Sequence, residues 1–305
     1  MKRLAAFAFA LLCPAFSWGG YNSYMAFPSG TAPSYEGLWW NPSESGWGVS
    51  IAHQGDILFA VWYTYDRDGS PMWLVMPDAR LSGDDMESMT GMMDMEMMGM
   101  MRNAPIYTGT LYRSTGPAYS NATFDRTAVG VTEVGMATFL FKSRTSGVFA
   151  YSVGNTSQSK NITRMVYAAG APECTLGGAK SAIENYQDLW WNSSESGWGV
   201  NIAHQGDTLF ATWYTYDAQG KGLWLVMSNT SKTGASSYAG PVLRASGPSF
   251  DAPWDSSKVT LTEVGSANFA FDATGRGTFT YTVGAVTQSK PIQRMVYSLP
   301  TTVCH

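Results

Sequence analysis

The chain has 305 residues, a formal net charge of −4 and 14% charged side chains, with no run of Lys or Arg. That excludes the counterion-displacing surface on which nucleic-acid binding depends. Its 32 glycines and 14% aromatic content favour short strands and tight turns over helices.

At the start, Lys2 and Arg3 precede an apolar run from Leu4 to Phe16, and Ala15-Phe16-Ser17 offers a small-residue cleavage site. The pattern predicts a secretory signal peptide over residues 1–17, too short to serve as a membrane anchor. Cys13 lies inside it. No other apolar stretch is long enough to span a bilayer. The expected product is periplasmic or secreted, with no integral membrane segment in the mature chain.

The segment LWWNPSESGWGVSIAHQGDILFAVWYTYD, beginning at Leu38, returns as LWWNSSESGWGVNIAHQGDTLFATWYTYD at Leu189, 151 positions later. MWLVM at Met72 and LWLVM at Leu223 hold that offset. It then falls to 131 between STGP at Ser114 and ASGP at Ala245. It is 130 for TEVG at Thr132 and Thr262, and for RMVY at Arg164 and Arg294. The chain is therefore an internal duplication. One repeat covers 37–167 and the other 189–298, with a linker at 168–188 and a tail at 299–305. AKSAIENYQ in the linker predicts a short helix.

Within the first repeat, Trp47–Gln54 alternates, with Trp47, Val49, Ile51 and His53 on one face. Ile57–Tyr65, Met72–Met76, Ile106–Arg113, Met136–Lys142, Val148–Val153 and Ser159–Tyr167 follow as strands between turn signals. The predicted fold is all-β: two tandem antiparallel barrel- or sandwich-like domains of about seven or eight strands each. Between the copies Ser50 becomes Asn201, Ile57 becomes Thr208 and Val61 becomes Thr212, which predicts a solvent-facing side. Trp47, Val49, Ile51, Leu58 and Trp62 recur unchanged and are assigned to the interior.

Cys174 and Cys304 each follow the final Tyr of their own copy, Tyr167 and Tyr297, by seven residues. Neither has a partner within its copy, so a disulfide joining the copies is expected in an oxidising compartment. The alternative is a pair of soft metal ligands beside His305.

The repeated WWNxSESGWG brings Trp39, Trp40, Glu44 and Trp47 close together, and again Trp191, Glu195 and Trp198 in the second copy. Tryptophans beside polar groups suit a sugar-binding cleft. A tight turn with indoles plugging a barrel end explains the same residues structurally. His53 and His204 are either ligands or bases in such a site, or histidines with both ring nitrogens satisfied near a barrel rim. Glu133 with Arg164, and Glu263 with Arg294, are expected as structural ion pairs. No nucleophile elbow, phosphate loop or dinucleotide fingerprint is present, so no enzymatic activity is expected. A third reading is an acid–base hydrolase built on Glu44, Glu133 and His53.

The change of offset leaves about twenty extra residues between Met76 and Ser114 of the first repeat alone. They contain DDMESMTGMMDMEMMGMM, Asp84–Met101, with nine of the chain's 17 methionines. Thioether sulfur is soft, neutral and unprotonated at working pH, and so matches Cu(I) better than hard ions. Met86, Met89, Met92, Met93, Met95, Met97, Met98, Met100 and Met101 recur at spacings that let a short segment surround an ion. Asp84, Asp85, Glu87, Asp94 and Glu96 offset its charge. The competing readings are an amphipathic helix docking an apolar face and an oxidation-scavenging loop without a specific ligand.

The run resembles the Met-rich segments of bacterial periplasmic copper-resistance proteins, although the histidines usual there are absent. That resemblance implies copper binding through M-x-M and M-x-x-M clusters, and the partner expected for the metal is another periplasmic copper protein. The repeats resemble a group of proteobacterial exported proteins with WWNxxESGWG segments, which implies export but no particular reaction. The functional expectation is a copper-binding protein that sequesters or transfers Cu(I). The runner-up is a glycan- or cell-envelope-binding module.

Overall fold

The computed structural model describes residues 32–82, 104–178 and 184–305. The predicted signal peptide and the whole methionine run lie outside the described residues. After a two-residue strand β1 (Ala32–Pro33), the first repeat forms β2 (Gly37–Trp40), β3 (Gly48–Gln54), β4 (Ile57–Tyr65) and β5 (Pro71–Leu81). It continues with β6 (Ile106–Thr115), β7 (Gly130–Phe141), β8 (Ser146–Val153) and β9 (Thr156–Arg164). A linker strand β10 (Cys174–Leu176) leads to β11 (Asp188–Trp191), β12 (Gly199–Gln205), β13 (Thr208–Tyr216) and β14 (Gly222–Lys232). Then come β15 (Ser237–Ser246), β16 (Thr260–Phe271), β17 (Arg276–Val283), β18 (Val286–Arg294) and the tail strand β19 (Thr302–Cys304).

Every strand in β2–β9 pairs antiparallel with its sequence neighbours, and β2 closes on β9 through Trp39 opposite Arg164. β11–β18 repeat this, with Trp190 opposite Arg294. The fold is thus all-β, with two closed eight-stranded up-and-down barrels, which removes exposed sheet edges from each. Closure needs curvature, and TEVG supplies some of it. Register slips between Leu111 and Tyr112 opposite this motif. A Cβ on Gly135 would lie 1.8 Å from the Ser152 carbonyl oxygen, and one on Gly265 lies as close as 1.7 Å to that of Thr282. Only glycine permits such an approach.

Inward side chains fill each barrel. In the first, Trp39, Trp47, Val49, Ile51, Leu58, Trp62, Phe139 and Phe149 share one buried cluster. Tyr35 stacks on Phe141 at 3.8 Å between centroids, and Trp62 packs on Tyr151 at 4.2 Å. Tyr186–Phe271 and Trp213–Tyr281 reproduce these contacts at 3.9 and 4.3 Å.

A third core lies between the barrels, formed by the outward faces of β2–β5 and β11–β14. It includes Phe59, Val61, Tyr63, Trp73, Tyr214, Trp224 and Val226. Here the sequence expectation fails. Ser50, Asn201, Val61 and Thr212 meet the other barrel rather than water; all are buried, and Ser50 Oγ lies 2.7 Å from Tyr214 Oη. A strand with two buried faces can still alternate polar and apolar residues when one face is an interface bonded by hydroxyls.

Contacts across this interface are reciprocal. Trp73 Nε1 donates to the Thr215 carbonyl, and Trp224 Nε1 to that of Thr64. Gln205 holds the backbone of Met165, Tyr167 and Ala168, while Gln54 holds Met295, Tyr297 and Ser298. The RMVY segments thus leave their own barrels after Arg164 and Arg294 to clasp the opposite one.

β1, β10 and β19 form a small separate sheet. In it Cys174 faces Cys304, and the two are joined by the expected disulfide. That removes both thiols as metal ligands. Residues 184–187 carry no helix, and the remainder of the predicted linker helix is outside the described residues.

Candidate functional site

Three places could carry chemistry: the base of each barrel, its mouth, and the root of the insertion. At the base, β3 delivers His53 to the interior beneath Tyr35. The Tyr35 backbone N–H donates to Nδ1 at 3.2 Å, and Nε2 lies 3.4 Å from Tyr107 Oη. An acceptor role for Nδ1 places the single proton on Nε2. Burial lowers the His53 imidazole pKa to about 3. His204 has the same environment: Tyr186 N–H donates to Nδ1 at 3.0 Å, Tyr238 Oη is 3.2 Å from Nε2, and burial again lowers its pKa. Both imidazoles are neutral and occupied by neighbours, so neither has a free basic nitrogen to offer.

At the mouth, the Asn-x-Ser-Glu turn forms because the Asn41 side chain accepts from the Ser43 N–H and its carbonyl from the Glu44 N–H. This aims Glu44 back at its own motif. One carboxylate oxygen accepts from Trp47 Nε1 at 3.3 Å and the other meets Lys160 Nζ at 2.9 Å. Glu195 binds Trp198 at 3.1 Å and Lys290 at 2.8 Å in the same way. The fully buried indoles of the tryptophan pairs are Trp39 and Trp190; Trp40 and Trp191 are half-buried.

The base and mouth groups do not converge. Glu44 and His53 fall at opposite ends of β3, and Glu133 is exposed on β7. The expected Glu133–Arg164 and Glu263–Arg294 pairs are absent, with Glu263 exposed on β16. Strand register places both acids near the far end from the arginines, whose partners instead lie at the start of each barrel, Glu36 just before β2 and Asp188 as the first residue of β11. Arg294 bonds Asp188 at 3.0 Å, and Arg164 lies beside Gly37 with the carboxylate of buried Glu36 nearby.

Each mouth is covered by a loop from the other repeat. Phe250 lies over barrel 1 against Trp62, and Tyr119 over barrel 2 against Trp213. Sequence reasoning used STGP and ASGP only to set the offset and missed the lids, although both copies continue to an aromatic two residues beyond the proline. It also missed Lys160 and Lys290, which the shared QSK would have paired with the two glutamates. A cavity of about 30 Å³ between the barrels touches Trp191 and Trp198, and one of about 10 Å³ lies under the Tyr119 lid. Each has room for roughly a water and is far below sugar size.

The insertion is rooted at the barrel-1 end that carries His53. β5 and β6 close with Leu81 opposite Tyr107, as β14 and β15 close with Lys232 opposite Tyr238. The second barrel needs only the turn at 233–236 where the first carries residues 82–105. Among the described residues no group of three or more His, Cys, Asp or Glu could hold a metal, and no helix is long and apolar enough to cross a membrane. No family model matches the chain, nor does any curated protein or solved structure.

Proposed function

We propose that the chain is an exported scaffold that binds Cu(I) through its methionine-rich insertion, sequestering the metal or handing it to another periplasmic copper protein. The observation that carries this reading is where the insertion joins the fold. It replaces one hairpin turn, and the paired strands on either side keep the register of the repeat that lacks it. The barrels therefore have no structural need of nine methionines there, and a ligand role accounts for the composition. The donor set is all soft sulfur with carboxylates and no imidazole, which favours Cu(I) over Cu(II) and zinc. With nine sulfurs, at roughly three per ion, it would hold about two or three ions.

Competition with a Cu(I) chelator tests this. The wild type should retain Cu(I), and a variant with leucine at all nine positions should not. Binding should persist near pH 5, because thioethers do not protonate where imidazoles do. Unchanged affinity in the leucine variant sinks the reading. The glycan-binding alternative draws less support, because Glu44 and Glu195 are engaged by Lys and Trp, and the adjoining cavities are too small for a sugar ring.

A further inference from the structure

We propose that each barrel mouth is a peptide-recognition socket for a Gly-Pro-small-aromatic segment, kept closed by the lid of the other repeat and able to take the same segment from another polypeptide. The two lids show one recognition pattern twice. In Gly247-Pro248-Ser249-Phe250, the Gly247 N–H donates to the Gly69 carbonyl at 3.2 Å and the Phe250 N–H to that of Tyr65 at 3.1 Å. The Phe250 carbonyl then accepts from Tyr151 Oη at 2.9 Å and Gln158 Nε2 at 3.4 Å. In Gly116-Pro117-Ala118-Tyr119, the Gly116 N–H donates to Gly220 at 3.1 Å and the Tyr119 N–H to Tyr216 at 3.0 Å. The Tyr119 carbonyl accepts from Tyr281 Oη at 2.9 Å and Gln288 Nε2 at 3.3 Å.

Each position of the segment has a physical reason. A Cβ on Gly247 would come within 2.5 Å of the Tyr65 ring, and one on Gly116 equally near that of Tyr216, so a side chain is refused. Proline restricts the chain before binding and lowers the entropy of ordering it. The aromatic ring meets the socket indole nearly at right angles, at 90° on Trp62 and 74° on Trp213. Backbone bonds fix the segment while one anchor side chain specifies it, as in other peptide grooves. The sockets also hold an unanswered donor. Trp62 and Trp213 are 3% and 2% exposed, yet neither indole N–H has an acceptor among the described residues, and Trp213 lines the cavity under its lid. In the second socket that donor stands at a cavity under the resident lid, where another occupant can answer it.

A tethered lid has a high effective concentration, so a free peptide competes poorly with it. The test therefore empties one socket in the full chain by Phe250→Ala and titrates fluorescein-labelled Ala-Ser-Gly-Pro-Ser-Phe-Asp-Ala, read by anisotropy. The variant should bind one peptide at least about tenfold more tightly than the wild type. Peptides with alanine in place of the glycine or the phenylalanine should not bind. Adding Tyr151→Phe and Gln158→Ala should weaken binding about fivefold or more. A second variant, Gly247→Ala, expels the same lid with its aromatic intact and should also bind. Should either variant be too unstable to titrate, its thermal midpoint decides: the peptide raises it and a scrambled peptide does not. Folded variants that bind no better than the wild type, or midpoints the peptide leaves unmoved, overturn the proposal.

Discussion

Gln54 holds Tyr297 from the opposite repeat: its side-chain oxygen accepts the Tyr297 backbone N–H at 2.9 Å while its amide donates to Met295 at 2.8 Å. Gln205 grips Tyr167 in the same way. A buried amide that answers three backbone groups across an interface couples the stability of its two sides. Gln54→Ala leaves those groups unpaired and should cost about 2–3 kcal/mol. Barrels coupled in this way should unfold as one unit, so denaturant melts of the wild type followed by fluorescence and by circular dichroism should coincide. Two separated wild-type transitions would show that the clasps do not couple them.

Deletion of residues 84–102 should leave both barrels folded, with a thermal midpoint within a few degrees of the wild type. The second barrel already shows that the β5–β6 pairing needs only a short connection. Unfolding on deletion would make the methionines part of the core and remove the basis of the copper reading.

The barrels were legible because inward residues recur every second position and the duplication displays the same pattern twice. Trp47, Val49 and Ile51 could be placed inside from that alternation alone. Ser50 and Val61 could not be placed correctly, because burial of their face depends on a second barrel 151 positions away, and Thr212 looks like a surface residue in isolation. The first strand of each repeat was missed for a related reason. Gly37–Trp40 is four residues long and reads as part of a turn motif until β9 returns to pair with it. The ion pairs were misassigned because Glu133 and Arg164 are close in pattern but belong to distant ends of the barrel wall.

Within the tryptophan motif, the first indole should dominate stability. Trp39 is fully buried, donates to the Tyr35 carbonyl at 2.9 Å and packs on Phe141. Trp39→Ala should cost about 3–5 kcal/mol, and Trp40→Ala distinctly less because that residue is only partly buried. Trp190→Ala should match Trp39→Ala, with the added loss of the Arg294 guanidinium 4.9 Å above its ring. Equal losses at Trp39 and Trp40 in chemical denaturation would contradict this ordering.

The disulfide should contribute about 2–5 kcal/mol, since Cys174 and Cys304 close a chain segment of 130 residues around the second barrel. Cys304→Ser should lower the unfolding free energy by that amount, with a lower denaturation midpoint, and release the tail strand, and the wild type under reducing conditions should match it. A midpoint insensitive to reductant would show that the β10–β19 pairing alone secures the tail.

The last prediction concerns pH. Glu36 is buried, and its carboxyl pKa is held well above the ordinary carboxylate range, first by burial and next by the nearby Asp188 carboxylate. Arg294, the His53 backbone N–H and Arg164 oppose that rise without cancelling it. Asp188 is itself raised by burial, against the pull of Arg294, and Tyr297 is pushed up by its own burial and by both acids. A carboxyl whose folded-state pKa is raised holds a proton that the unfolded chain releases. Its stabilising effect is full below the ordinary carboxylate pKa and is lost as pH climbs through the raised folded value. Glu36→Gln keeps an oxygen acceptor but cannot ionise, so it should remove this loss. The variant and the wild type should have similar midpoints near pH 4, and the variant should become progressively the more stable of the two toward pH 8. Thermal melts across that range decide the matter: parallel curves, or a wild type that gains on Glu36→Gln with rising pH, would mean that the two arginines hold the carboxylate ionised throughout.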